Sequence, residues 1–209
     1  MRYNNNRIAY SKVIYAATAD PISLQEAKTH LRVDHDDEDA LINILKQAAT
    51  EMAELHTGRS FCTQTRVMKF DNFPSGDICI QNGPLISISG TDTASSPNTL
   101  GITYYDDDEV LQTLSASEYW VDSSSNIARI IFKDSWPSTY DMPNAVIVTY
   151  TAGYGDPITV PGAIRQAILL ILGHLYENRE SVSVEQMYEM PFGSKALLGQ
   201  YVVEQSVIY

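Results

Sequence analysis

The sequence predicts an α+β fold: a helical bundle interrupted by an inserted antiparallel β domain, either a sandwich or a small barrel. Three observations predict it. Residues 22–61 carry helix-start chemistry and three- and four-residue apolar spacing. Residues 62–155 break into short runs rich in Val, Ile, Tyr and Thr, separated by turn clusters. Residues 156–198 return to helix with an apolar run too rich for one buried face. That surplus is best used against the earlier helix, so the two helical stretches are expected to fold together around the β insertion. Residues 1–21 read as an N-terminal arm without a clear period, and residues 199–209 as a C-terminal tail.

In chain order, Ser23-Leu24-Gln25-Glu26 forms a capping box and predicts a helix from Leu24 to Leu31. Asp34-His35-Asp36-Asp37-Glu38-Asp39 places carboxylates at the start of a second helix, where free N–H groups and the helix dipole favour them. Leu41, Ile44, Leu45, Ala48, Met52 and Leu55 form its expected apolar face, and Gly58 its stop. Strands are predicted at 65–70, 85–89, 101–105, 119–121, 128–132 and 145–151, with Gly153-Tyr154-Gly155 as a turn. Pro161 opens a third helix through Tyr176, and Gly193 to Leu198 forms a short amphipathic piece.

Composition narrows the function. The net charge is −12, divided as −2 over residues 1–60, −7 over 61–155 and −3 over 156–209, with no basic cluster. Tight nucleic-acid binding needs Lys and Arg against phosphates, so it is disfavoured; contact with passing DNA is not. No stretch reaches the roughly 18 apolar residues of a membrane span, and no secretory signal is evident, so synthesis is expected in a cytoplasm. Cys62 and Cys79 lack metal spacing and are expected as free thiols.

Chemistry-bearing patterns fail one by one. Counted from Asp34, the EF-hand glycine and glutamate positions hold Asp39 and Leu45. Asp106-Asp107-Asp108-Glu109 reads as a solvated hairpin turn. His30, His35, His56 and His174 show no zinc spacing, and neither nucleophile elbows nor phosphate loops occur. The expectation is no catalytic residue, no metal and no cofactor.

An ordered set of segments then resembles the phage head–tail connector (adaptor) family, in its longer branch with an inserted β domain. The set begins with Ile22-Ser23-Leu24-Gln25-Glu26-Ala27-Lys28-Thr29-His30-Leu31-Arg32-Val33-Asp34 and Asp36 to Ile42, followed by Ala48-Ala49-Thr50-Glu51 and Thr57-Gly58-Arg59. It continues with Trp136-Pro137, Val148 to Gly155 and Val160-Pro161. Ile164 to Ile168, His174 to Glu180 and Met190 to Leu198 complete it. The resemblance implies a structural virion protein that is not an enzyme. It implies a ring, commonly of twelve copies, below the portal protein and above a downstream tail or stopper protein. Genomic DNA would pass through without specific binding, at the head–tail junction, after assembly in the host cytoplasm. Leu170, Ile171 and Leu175 then become either a subunit interface or ordinary core. Tyr201, Val202, Val203, Val207, Ile208 and Tyr209 become either a portal contact or an end docked on its own domain. Two rival readings are a β-rich carbohydrate- or receptor-binding module using Tyr104, Tyr105, Tyr119 and Trp120, and a carboxylate hydrolase.

Overall fold

The computed structural model describes residues 11–88, 101–178 and 190–203. The described residues form two compact units, one of residues 19–62, 154–178 and 190–203, the other of 11–18, 63–88 and 101–153.

The first unit is helical. Helix α1, Leu24–Leu31, starts at Ser23, whose hydroxyl accepts from the Glu26 N–H while the Glu26 carboxylate accepts from the Ser23 N–H. Arg32 closes it in a left-handed conformation (φ 59°). Helix α2, Asp39–Thr57, ends at Gly58, whose φ of 66° suits a residue without Cβ. Helix α3, Gly162–Glu177, follows a 3-10 turn at Pro157–Thr159, and α4, Phe192–Leu198, runs into a second such turn at Gly199–Tyr201. The prolines at 161 and 191 precede α3 and α4, and their carbonyls accept the first-turn N–H groups of Arg165 and Lys195.

Helix α3 packs on both α2 and α4, which explains its surplus of apolar residues. Ile164, Ala167, Ile168, Ile171 and Leu172 are fully buried with Ile42, Ala49, Ala53 and Phe61. The face of α2 differs from the expected one. Leu45 and Met52 do pack on the core, but Ile44 is 63% and Leu55 86% exposed, and Ile42, Ala49 and Ala53 are buried instead. Small side chains at 49 and 53 suit close helix approach, so the buried stripe runs through them and not through the largest apolar residues.

The second unit is a β sandwich. Strands β1 (Lys12–Tyr15), β2 (Gln64–Phe70), β9 (Val146–Ala152), β5 (Gly101–Tyr105) and β6 (Leu111–Thr113) lie in that order, and β4 (Leu85–Ser87) also pairs with β9. A three-stranded sheet has the order β3 (Ile78–Cys79), β8 (Arg129–Phe132), β7 (Tyr119–Asp122). Every pairing is antiparallel. One core joins the sheets: Met68, Ile102, Val146, Val148 and Tyr150 from the larger meet Ile78, Tyr119 and Ile130 from the smaller. Central β9 is buried along nearly its whole length, as its continuous apolar run requires.

Strands β1, β3 and β6 carry no sequence expectation. The strand β1 belongs to the stretch read as a periodless arm; it pairs with β2, and Ser11 beside it shares a 2.8 Å hydrogen bond with the buried Tyr150 hydroxyl. Trp136 stacks between Phe73 and Phe132, each at 4.7 Å, and donates its indole N–H to the Gly76 carbonyl.

Candidate functional site

The residues that could carry chemistry fall into local, structural roles. In the acidic stretch before α2, Asp36 and Asp39 hold the buried Lys28 ammonium at 2.5 and 2.8 Å. Buried Lys46 is met by Asp20 at 2.9 Å. Arg165 of α3 pairs with Glu26 of α1, whose carboxyl is held below its usual range first by the Ser23 N–H and hydroxyl and then by Arg165. These charges are neutralised within the unit, which is what burial of Lys requires.

The Asp106–Glu109 stretch is a hairpin turn. One Asp106 oxygen accepts from the N–H groups of Asp108 and Val110, the other from the Gln112 amide. Among the described residues no group of three or more His, Cys, Asp or Glu is placed to hold a metal ion. Both cysteines are free. Burial, reinforced by the charges of Glu54, Asp20 and Asp156, pushes the Cys62 thiol up to about 11, so it stays protonated and unreactive near neutral pH. Of the aromatic strand residues, Tyr119 is core, Tyr104 and Tyr105 are half-buried, and Trp120 is exposed beneath the Lys133 ammonium. No described helix is long and apolar enough to cross a membrane.

The residues proposed for assembly separate clearly. Ile171 is fully buried and serves the unit's own core, so it has no surface to offer a neighbour. Leu170 and Leu175 are half-buried on the flanks of the same helix, Leu170 lying against the start of α4 where Gly193 approaches it. At the tail, the Tyr201 carbonyl accepts from the Arg59 Nε at 2.6 Å and the Val203 N–H donates to the Thr57 carbonyl at 2.9 Å. Residues 201 and 203 are thus docked on their own unit, while Val202 between them is 39% exposed. Val207, Ile208 and Tyr209 lie outside the described residues.

The sequence reading missed the most exposed large apolar side chains of the helical unit. Leu55 is 86% and Phe192 87% exposed. Leu55 was counted into the buried face of α2, and Phe192 lies one residue ahead of the predicted short helix. A signal existed for α2, because its apolar residues outnumber one stripe.

Among the described residues no metal-binding cluster is assembled. Residues 21–88 match the profile of the phage gp6-like head-tail connector proteins. Over this stretch, about a third of its length, the chain is similar to the head–tail connector family. The matched stretch contains α1, α2 and strands β2, β3 and β4, and so includes the capping box and the Gly58 stop. No curated protein sequence matches this chain.

Solved structures extend the likeness to nearly the whole length. A chain in the neck of an empty GTA particle, computed with C6 symmetry, superposes with a TM-score of 0.76 at 18% identity, covering 96% of this chain and 98% of that chain. Chains in the virion of a native gene transfer agent particle and in the neck of a native GTA particle computed with C12 symmetry give 0.75 and 0.73, again at 18% identity. Those matches cover 95% and 96% of this chain and 98% of each of those chains. At that identity the likeness establishes a shared fold, which here includes both the helical and the β parts.

Proposed function

We propose that this chain is a head–tail connector, one subunit of a closed ring at the head–tail junction of a tailed particle, mounted below the portal and surrounding the DNA channel. The observation that carries the reading is the connector-family match over residues 21–88. The fold shared with neck chains, one of them in a twelvefold reconstruction, supports a ring of twelve copies. The role is structural, without catalysis or cofactor, and assembly takes place in the host cytoplasm.

The portal protein sits on one side of the ring and a downstream tail or stopper protein on the other. A net charge of −12 suits a conduit, because repulsion from phosphates disfavours sticking while the duplex slides. Lateral contact between subunits involves the half-exposed Leu170 and Leu175, with Ile171 supporting them from beneath. The portal contact is made by the C-terminal tail, by Val202 on the docked part and by Val207, Ile208 and Tyr209 beyond it.

Deleting residues 204–209 tests the tail while sparing the Arg59–Tyr201 and Thr57–Val203 hydrogen bonds. The shortened chain should keep its thermal midpoint and lose co-sedimentation with portal-bearing heads. Undiminished co-sedimentation would remove the tail from the portal contact.

A further inference from the structure

We propose that neighbouring copies in the ring meet through two different stripes of the helical unit, the outward stripe of α2 on one copy against the outward stripe of α4 on the next. This rests on the ring reading above and adds to it a partner surface and a direction of packing.

Ile44, Glu51 and Leu55 are separated by seven and four residues, which places them on one face of α2, and all three are exposed. On α4, Phe192 is followed one turn later by half-exposed Lys195 and exposed Ala196. A single exposed leucine or phenylalanine needs no explanation. Two such stripes on separate helices of one small unit, each with more than four-fifths of a large apolar side chain in water, are a different matter.

Charge selects the pairing. The α2 stripe carries Glu51 one turn from Leu55, and the α4 stripe carries Lys195 one turn from Phe192. Packing α2 against α4 of the next copy opposes these unlike charges. That is a head-to-tail contact, which closes into a ring where the rotation between copies permits. Spacing agrees as well. Leu55 to Glu51 spans about 6 Å of helix rise and Phe192 to Lys195 about 4.5 Å. With the two helices antiparallel, Phe192 on Leu55 brings Lys195 to Glu51. Leu170, against the first turn of α4, extends the same patch.

The test is a charge exchange read by native mass spectrometry and negative-stain imaging of the full chain, alone and on portal particles. The single variants Glu51→Lys and Lys195→Glu should each keep the wild-type circular dichroism and lose ring formation at least tenfold in concentration. An equimolar mixture of the two should recover it, because every contact in an alternating ring then has one Lys and one Glu. Rings from either variant alone, or none from the mixture, would overturn the pairing. A partner protein occupying the α2 stripe gives that second result, since exchange between copies cannot rescue it. Should a charge variant misfold, Leu55→Cys and Phe192→Cys chains, each with Cys79→Ser, are mixed under oxidising conditions. A cross-linked dimer is expected, and its absence equally overturns the pairing. Wild-type chain that forms no ring under any condition defeats the ring reading itself, a separate outcome from rings that tolerate the charge changes.

Discussion

Ser23 shows what a residue can disclose by itself. A capping box needs only the Ser and the Glu three positions on, and the reciprocal hydrogen bonds are present in the structure. Ser23→Ala should lower unfolding free energy by about 1 kcal/mol, measured by urea denaturation; an unchanged midpoint would show that the box contributes nothing. Gly58 was legible for the same reason, since a helix stop in the left-handed region is a local demand. Arg32 adopts that conformation too, yet nothing about an arginine announces it. Nor could the sequence reveal that the Tyr150 hydroxyl is shared between Ser11, 139 residues away, and the Gln81 carbonyl. Such pairings exist only once strands have assembled.

Elements were legible where their period was long enough to measure. Helix α1 was placed at its observed ends, and β5 likewise, because capping and turn residues bound them on both sides. Strands of two to four residues, such as β1, β3 and β6, contain too few positions for an alternation to register. Facing was harder than existence. The sequence assigns α2 an apolar face but cannot say which side α3 will occupy, and small Ala49 and Ala53 decided it. Two substitutions separate the sides. Ile168→Ala, in the centre of the core, should cost about 2–5 kcal/mol, whereas Leu55→Ala on the outward stripe should stay within about 0.5 kcal/mol. Chemical denaturation of both variants measures this. A large loss at Leu55 would mean that the stripe is core after all.

For the whole molecule, the proposed role rests on segments in order and not on any reactive cluster. An apolar run on α3 suggested Leu170, Ile171 and Leu175 alike, and only packing distinguishes buried Ile171 from its half-exposed neighbours. Leu55 and Phe192 escaped notice because exposure is a property of the folded unit, invisible in a list of apolar residues. The proposed role predicts that the two exposed stripes of α2 and α4 meet other proteins, while the lysines at 28 and 46 are neutralised within the unit. Cryo-electron microscopy of the head–tail junction of the particle carrying this chain tests that most directly. A closed ring of identical copies between portal and tail, each fitted by both the helical and the β unit, is the predicted density. A junction from which this chain is absent, or where it stands as isolated copies off the axis, would contradict the account.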